Sequence, residues 1–451
     1  MENIREVAVN MLLEIAEQNK YSHLVIRDVL NKYDYLDGRD KAFLKRVTEG
    51  TLERRIQLDY VLDQFSKVPV SKMKPLIRTL LRMSVYQLLF MDSIPDSAVC
   101  NEAVKLAGKR GFRNLQGFVN GVLRNIVRKK QEIVWPDQNA DRINYLSVKY
   151  SMPVFLVEKF LAQQGYEKTE KMLESFLTEA PVTIRLKETL KAEDKRLLLK
   201  ELEACGVHPE KHPYLPYAYS VAGTEGIAAL PGFEDGLFTV QDVSSMLVCE
   251  AAGVKEGSLV IDVCASPGGK ALHAADKLKG SGFVSARDLT EYKAEMIRDN
   301  KNRMKAENVE VLVWDARKLR EEDVEKADLV LADLPCSGLG IMGRKADIKY
   351  HASPESLQQL QSLQREILSV IWQYVKPGGT MIYSTCTVNP DENQENVKWF
   401  TDNYPFDTES LSPYLPDELK EEGKDGMLQL LPGVHETDGF FLARLRRKDS
   451  V

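Results

Sequence analysis

The sequence contains few cysteines and no long apolar run, and both shortages exclude whole classes of protein. Its six cysteines are widely spaced and form no CxxC pair, which argues against a disulfide framework and a zinc site and favours reduced thiols. No stretch of 18 apolar residues occurs, so we predict no membrane-spanning helix. Arg5, Glu6 and Glu14 interrupt the start of the chain, which argues against a secretory signal peptide. These absences predict a cytoplasmic protein without a bound metal or a membrane partner.

Charge is unevenly distributed along the chain, although the net charge is only -6. Residues 1–135 carry 23 lysines and arginines against 16 acidic residues, whereas the remaining residues carry 38 against 51. A basic N-terminal region on an acidic chain predicts an anionic partner for that region. A solvated helical surface is the alternative interpretation of the same charges.

Hydrophobic periodicity divides the 451 residues into three predicted domains. Residues 1–135 contain two apolar stripes at helical spacing and no alternating strand pattern, which predicts an all-α bundle. Residues 136–235 combine a polar linker with a small α/β connecting subdomain, which has helices near 144–164 and 190–204 and a strand at 182–186. Residues 236–451 repeat strand, turn and helix, which predicts a doubly wound, Rossmann-like α/β domain. Its strand candidates are 259–262, 283–286, 309–313, 329–332, 380–383 and 440–445.

Several short motifs in the first domain carry a specific resemblance. They are Tyr86-Gln87-Leu88-Leu89, Ile94-Pro95 and the segments 101–107 and 118–124, and together they resemble the NusB-like RNA-binding domain. The resemblance implies an RNA partner, whose phosphates basic side chains would neutralise without reading the base sequence. Protein binding by the bundle is the alternative. The basic candidates are Lys109, Arg110, Arg113, Arg124, Arg128, Lys129 and Lys130.

The sharpest local motif ends at Lys270, where a buried strand enters a glycine turn and then a helix. Ligands of doubly wound sheets bind over such turns, at the carboxyl ends of the strands. A nicotinamide site would need GxGxxG, which the motif lacks. A P-loop would need glycine where Cys264 stands and serine or threonine where Ala271 stands. A turn with a purely structural role is the remaining alternative.

The motif Asp262-Val263-Cys264-Ala265-Ser266-Pro267-Gly268-Gly269-Lys270 resembles the S-adenosylmethionine loop of the RNA cytosine-5 methyltransferases. The resemblance implies that S-adenosylmethionine is the cofactor and that residues 264–270 contact it. Three acids near the ends of the following strands extend the predicted pocket: Asp288 at the ribose hydroxyls, Asp315 beside the adenine, and Asp333. Taken alone, each acid is explained as a helix cap or a solvated loop residue, whereas together they favour one shared pocket.

Two cysteines follow adjacent strand candidates, and thiol chemistry suits the methylation of cytosine. Carbon-5 of cytosine is a poor nucleophile, but a thiolate that adds to carbon-6 turns the ring into an enamine that can attack a methyl donor. Cys336 follows the fourth candidate strand and Cys386 follows the fifth. Packing as a small hydrophobic side chain is the alternative for any cysteine. We favour that alternative for Cys100, Cys205 and Cys249.

The two-cysteine pattern resembles the RNA branch of the cytosine-5 methyltransferases. The resemblance implies that Cys386, in its Thr-Cys motif, is the nucleophile and that Cys336, in its Pro-Cys motif, assists the later steps and product release. Asp333 would hydrogen-bond the Watson-Crick edge of the cytosine, and Lys270 would contribute positive field. The match extends to residues 241–245, to 343–349, where Ala346 replaces the family's usual proline, and to 389–393 and 438–441.

Together with the NusB-like start, the resemblance covers nearly the whole chain, which is identified as a member of the Sun/RsmB family of bacterial small-subunit rRNA methyltransferases. It implies a monomeric cytoplasmic enzyme that methylates carbon-5 of a cytosine in 16S rRNA, in unpaired RNA, before or during ribosome assembly. The same chemistry on tRNA is one alternative. A non-catalytic RNA-binding ribosome-assembly factor is another, against which the two cysteines argue, and a nicotinamide dehydrogenase is a third.

Overall fold

The computed structural model describes residues 3–18, 20–222 and 226–449. The chain forms two compact units. The first comprises Met1–Thr178 together with Met342–His351, and the second comprises Glu179–Ile341 and Ala352–Val451. The domain boundaries at residues 135 and 235 stay a prediction.

The helices and strands are numbered here in chain order. The helices are α1 (Ile4–Glu17), α2 (Ser22–Lys32), α3 (Gly38–Glu53), α4 (Arg55–Phe65), α5 (Pro75–Phe90), α6 (Asp96–Lys109), α7 (Gln116–Arg128), α8 (Arg142–Lys149), α9 (Val154–Ser175), α10 (Ala192–Ala204), α11 (Val243–Ala252), α12 (Gly269–Lys277), α13 (Glu291–Arg303), α14 (Ile348–His351), α15 (Pro354–Ile371) and α16 (Gln394–Asn403). The strands are β1 (Val182–Leu186), β2 (His208–Lys211), β3 (Ala218–Ala222), β4 (Phe238–Val240), β5 (Leu259–Asp262), β6 (Phe283–Asp288), β7 (Val309–Val313), β8 (Ala327–Asp333), β9 (Val375–Thr385), β10 (Phe406–Thr408), β11 (Met427–Leu430) and β12 (Phe440–Arg447). Among the described helices, none combines the length and the apolar character needed to cross a membrane.

Helices α1 to α7 of the first unit form a bundle around one apolar core, as predicted for residues 1–135. Its centre is α5, which packs against α1, α3, α4, α6 and α7. Pro75 begins α5 at a position where its missing N–H costs no hydrogen bond. Leu80 and Leu81 of α5 and Met11 of α1 are at most 1% exposed, so the apolar stripes supply the burial that holds the bundle together. Asn3 caps α1 by accepting hydrogen bonds from two backbone N–H groups of the first turn.

The predicted helix near 144–164 is wrong in its extent, because two helices occupy this stretch. The first, α8, ends at Lys149, and the second, α9, begins only at Val154. Pro153 cannot continue a helix, and Ser151 takes a left-handed backbone conformation with φ of 52°, so the chain turns between them. The second helix then runs past the predicted end to Ser175, with a kink at Gly165.

The segment Met342–His351 belongs to the first unit, although it lies between β8 and α15 in the chain. The Asp347 carboxylate accepts hydrogen bonds from the N–H of Ser22 at 2.7 Å and from its hydroxyl at 2.6 Å. The Lys349 ammonium donates to the carbonyl of Glu53 at 2.7 Å, and the Tyr350 hydroxyl donates to the carbonyl of Leu52 at 2.8 Å. These contacts attach the segment to the ends of α2 and α3.

The second unit contains two sheets. The smaller sheet is antiparallel with strand order β2-β3-β1-β4, and α10 and β3 contribute to its own apolar core. The larger sheet has the order β10-β12-β9-β8-β5-β6-β7, with β11 paired to β12. Strands β5 to β9 are parallel, and β12 runs antiparallel to β9. This architecture confirms the predicted α/β domain.

The carboxyl ends of β5 and β8 define the place where a ligand is expected. From β5 the chain passes to β6 and β7 on one side, and it then returns to lay β8 against the other side of β5. A doubly wound sheet binds ligands at such a reversal of strand order. Strands β5 and β7 have the predicted bounds, while β6, β8 and β9 are longer than predicted. The longer β6 makes Asp288 its last residue rather than a loop residue.

Candidate active site

The loop between β5 and α12 is fixed by backbone hydrogen bonds on both sides of its glycines. The N–H of Ala265 donates to the carbonyl of Arg287 in β6 at 2.8 Å, which attaches the loop to the neighbouring strand. Gly268 has φ of 108°, a backbone conformation that favours glycine, so the turn into α12 needs a residue without a side chain. The first N–H groups of α12 lack partners within the helix, and such an end attracts anions and carbonyl oxygens.

The predicted pocket acids Asp288 and Asp315 have different surroundings. The Asp288 carboxylate accepts hydrogen bonds from the N–H groups of Ser266 at 3.0 Å and Leu289 at 2.8 Å, so it joins the loop to β6. Asp315 follows β7 and accepts two hydrogen bonds from the Arg317 guanidinium, at 3.0 and 2.9 Å. These hydrogen bonds lower the pKa of Asp315. The position of Asp315 beside an adenine stays a prediction.

Lys270 and Asp333 form an ion pair between the first turn of α12 and the end of β8. The Lys270 ammonium lies 2.7 Å from Oδ2 of Asp333, and the Ser384 hydroxyl donates to Oδ1 at 2.8 Å. Burial opposes the charge of Lys270, but Asp333 and Asp262 outweigh it and raise the pKa of the ammonium, which also feels the Cys386 side chain. The Asp333 side chain is 26% exposed, so its carboxylate can accept a further donor.

Asp262, the last residue of β5, is a buried carboxyl group to which the sequence motif gave no separate role. Its Oδ1 accepts a hydrogen bond from the N–H of Cys264 at 3.4 Å, and its buried Oδ2 has no partner among the residues that the structure describes. Burial, reinforced by the charge of Asp333, raises the pKa of Asp262 to about 7. A buried acceptor without a partner is costly unless a ligand supplies a donor. The sequence signal for this residue is an acid that ends an otherwise apolar strand.

Cys336 and Cys386 lie side by side because they follow the ends of the adjacent parallel strands β8 and β9. Their sulfur atoms are 3.4 Å apart, within range of a thiol hydrogen bond. This hydrogen bond, burial and the charge of Glu392 together raise the pKa of the Cys336 thiol well above its usual value. Cys336 therefore keeps its proton and can donate it in a hydrogen bond to the sulfur of Cys386.

The remaining cysteines are not part of this pair. Cys100 and Cys249 are buried, as predicted. The prediction is wrong for Cys205, which is exposed because it lies at the C-terminal cap of α10, where the helix ends. Burial and the charge of Asp288 raise the pKa of the Cys264 thiol, so this cysteine in the loop stays protonated.

Two family models match separate parts of the chain. The model described as 16S rRNA methyltransferase RsmB/F matches residues 251–446, which include the loop and both cysteines. The model of the NusB family matches residues 2–128, which correspond to most of the helical bundle.

Curated relatives and solved structures match the chain over much greater lengths. It is 36% identical over 450 residues to a probable ribosomal RNA small subunit methyltransferase B of Bacillus subtilis, with 99% of either chain covered. It is 31% identical over 448 residues to the ribosomal RNA small subunit methyltransferase B of Escherichia coli, again with 99% of each covered. The crystal structure of PH0851 aligns with a TM-score of 0.80 and 26% identity over 99% of both chains. A methyltransferase homolog from Pyrococcus horikoshii aligns over 68% of this chain and 99% of its own, with a TM-score of 0.57 and 26% identity.

Proposed function

Because the chain belongs to the ribosomal RNA small subunit methyltransferase B family, we propose that it methylates carbon-5 of a cytosine in small-subunit rRNA through a covalent cysteine adduct. The observation that carries this proposal is the pair of thiols 3.4 Å apart at the ends of two adjacent strands. The names of the full-length relatives support small-subunit rRNA as the substrate.

S-adenosylmethionine is the methyl donor of this family, and the residues around the loop fit its polar groups. The unpartnered Oδ2 of Asp262 is an acceptor for an ammonium group, and the first N–H groups of α12 suit a carboxylate. Asp288 would hold ribose hydroxyls with the acceptor capacity that its two backbone donors and the Lys293 ammonium, 3.1 Å away, leave open. When it is bound, the cofactor supplies a methyl group activated by a positively charged sulfur.

Cys386 is the proposed nucleophile. Its thiolate forms a bond to carbon-6 of the cytosine, and the displaced ring electrons make carbon-5 nucleophilic enough to accept the methyl group. A base then removes the proton from carbon-5, the ring double bond is restored, and the bond between carbon-6 and sulfur breaks. The thiolate is released unchanged, so one cysteine serves successive turnovers.

The charges around Cys386 reduce the cost of forming its thiolate. An unperturbed thiol is only roughly 3% ionised at pH 7, which costs about 2 kcal/mol. The Lys270 ammonium favours the thiolate through its charge, and the Cys336 thiol favours it through a hydrogen bond. Asp333 has an exposed edge and is proposed to accept a hydrogen bond from the amino group of the cytosine. Cys336, which keeps its proton, is proposed to assist the later steps and product release.

The helical unit is proposed to hold the RNA by its phosphates. Arg113 and Arg128 are exposed, and within the described residues neither has an ion pair or a side-chain hydrogen bond. Lys109 and Lys130 are already paired, with Glu6 at 2.6 Å and Asp96 at 2.8 Å. Unpaired guanidinium groups are therefore the better phosphate ligands of this set. The proposed enzyme is a monomer that acts on rRNA in the cytoplasm, before or during ribosome assembly.

The test is methyl transfer from labelled S-adenosylmethionine to unmodified small-subunit rRNA, with tRNA as a second substrate. We expect label on carbon-5 of cytosine in rRNA with the wild type and no label with Cys386→Ser. Cys336→Ser should instead accumulate a protein–RNA adduct that survives denaturation. Full activity of Cys386→Ser would refute the assigned nucleophile, and label in tRNA alone would refute the proposed substrate.

A further inference from the structure

Glu392 is a buried carboxylate to which the mechanism above gives no role. It belongs to the motif at residues 389–393 and is 0% exposed. Its Oε2 accepts hydrogen bonds from the N–H of Ser337 at 2.9 Å and from the Gln364 amide at 3.0 Å. Its Oε1 accepts hydrogen bonds from the Ser337 hydroxyl at 2.5 Å and from the Asn389 amide at 2.9 Å. Each oxygen thus has two donors, which fills the hydrogen-bonding capacity of an ionised carboxylate.

Two of these donors come from the residue next to Cys336. Ser337 is held at both its N–H and its hydroxyl, so the chain just after Cys336 is fixed to Glu392. On the other side of the cysteine, the Gln364 amide donates to the carbonyl of Pro335 at 2.9 Å. Glu392 and Gln364 therefore hold both chain neighbours of Cys336.

The same network reaches the loop of Cys386. The hydroxyls of Ser337 and Thr387 lie 2.7 Å apart, and the Asn389 N–H donates to the Thr387 hydroxyl at 3.2 Å. The carbonyl of Cys386 accepts a hydrogen bond from the N–H of Gly340 at 3.1 Å. The pairing of β8 with β9 ends at Asp333 and Ser384. Among the described residues, no strand pairing holds the two loops that follow. Their spacing therefore depends on side-chain and loop hydrogen bonds.

From these contacts we infer that Glu392 is a positioning residue that sets the distance between the sulfur atoms of Cys336 and Cys386. The inference rests on the proposed function, because the catalytic value of that distance lies in the hydrogen bond from Cys336 to the nucleophile. A charged group suits the task better than a neutral one, since only an ionised carboxylate accepts four hydrogen bonds at once. A buried carboxylate of this kind costs free energy, and geometric specificity is a reason to retain it.

A disulfide-exchange reaction measures the sulfur spacing without RNA or cofactor. One thiolate attacks dithiodipyridine and releases one pyridinethione, and the second thiol then displaces the other pyridinethione to close the Cys336–Cys386 bond. Peptide mapping by mass spectrometry gives the ratio of this internal disulfide to singly modified cysteine. In the wild type we expect the internal disulfide to dominate. In Glu392→Ala we expect the ratio to fall at least fivefold, because Ser337 and Asn389 lose their shared acceptor.

Glu392→Gln keeps the size of the side chain but replaces one acceptor oxygen by a donor, so its ratio should lie between those of the other two proteins. Glu395→Gln is the matched control, since Glu395 is an exposed glutamate three residues along the same chain segment, and its ratio should equal that of the wild type. Thermal unfolding identifies variants that fail to fold. Should either Glu392 variant fail to fold, Ser337→Ala removes the hydroxyl that contacts Glu392 and Thr387 but keeps the N–H of residue 337, and it is expected to lower the ratio by a smaller factor.

Steady-state kinetics separates positioning from a loss of folding. We expect Glu392→Gln to lower kcat about tenfold and to leave the KM for S-adenosylmethionine within twofold, because loss of alignment acts on the chemical step. A folded Glu392→Gln with the disulfide ratio and the kcat of the wild type would overturn the inference. Failure of the proposed function gives a different result, because Cys386→Ser would then stay active. The disulfide ratios are measured without substrate and would still fall in the Glu392 variants.

Discussion

At the scale of single residues, the site depends on which groups hold a proton. Cys336 keeps its proton through burial and a hydrogen bond, and Lys270 keeps its positive charge because Asp333 lies 2.7 Å away. Asp262 is different, since burial raises its pKa to about 7 and leaves it half-protonated near neutral pH. Its unpartnered oxygen lies beside the loop that is proposed to bind the cofactor, so the protonation of Asp262 should affect cofactor affinity.

Affinity for S-adenosylmethionine should therefore depend on pH through Asp262. The carboxyl group is neutral below about pH 7 and ionised above it, and only the ionised form attracts an ammonium group. We expect the Kd to rise about fivefold from pH 7 to pH 6 and about tenfold for each pH unit below that, and to change less than about twofold between pH 7 and 7.5. Isothermal titration calorimetry measures this Kd. Asp262→Asn should bind more weakly and show no such slope, whereas a slope that survives in Asp262→Asn would assign the proton to another group.

The sequence located the residues of the site better than it described their partners. A glycine turn after a strand predicted the loop at 264–270, and Cys336 and Cys386 were each predicted to follow one of two adjacent strands. The unpartnered oxygen of Asp262 and the pairing of Asp315 with Arg317 depend on distances between side chains. Periodicity carries no information on such distances.

At the scale of elements, several short strands and a long-range docking contact were the features that the sequence did not reveal. Strands β5 and β7 are mostly apolar, and their predicted bounds are confirmed. Strand β2 was missed because it is short and polar and contains Pro209, which an edge strand tolerates. The docking of Met342–His351 depends on a contact between Asp347 and Ser22, which are 325 residues apart in the chain.

Lys349 should make the stability of the chain depend on pH. Burial lowers its pKa in the folded chain to about 7, whereas an unfolded lysine holds its proton up to about pH 10.4. Between these values the unfolded state binds more protons, so the free energy of unfolding should rise with pH, by at most about 1.4 kcal/mol per unit. Urea denaturation of the full chain at pH 7 and pH 9 measures the change.

The matched variants isolate the contribution of this one ammonium group. In Lys349→Met, the free energy of unfolding should rise less between pH 7 and pH 9 than it does in the wild type. Lys105→Met removes an exposed lysine of the same unit and should show the same rise as the wild type. An equal rise in Lys349→Met and in the wild type would show that Lys349 is ionised to the same extent in both states.

At the scale of the whole molecule, the fold class was predictable and the division into compact units was not. Helical and strand periodicities distinguish the bundle from the α/β domain because each covers more than a hundred residues. The compact units place residues 136–178 with the bundle and return Met342–His351 to it. The uneven charge of the chain agrees with the proposed roles of the two units, in which the basic helical unit binds RNA and the α/β unit catalyses methyl transfer.

Binding of RNA phosphates by the helical unit predicts how RNA affinity depends on salt concentration. Each lost contact between an arginine and a phosphate should reduce the slope of log K against log salt by about 0.7 for single-stranded RNA. Arg113→Gln combined with Arg128→Gln should therefore reduce the slope by about 1.4. Filter binding of small-subunit rRNA at several salt concentrations measures the slope. Lys420→Gln, which removes an exposed charge in the other unit, should leave it unchanged, and an unchanged slope in the double variant would place the phosphates elsewhere.

The most direct test of the central claim traps the covalent intermediate. Fluorine at carbon-5 of cytosine replaces the proton that must leave before sulfur is released, so RNA that contains 5-fluorocytidine should remain bonded to the enzyme after methyl transfer. Proteolysis and mass spectrometry then identify the modified peptide. The account predicts a methylated fluorocytidine bonded to Cys386. An adduct on Cys336, or no adduct from an enzyme that methylates ordinary RNA, would contradict it.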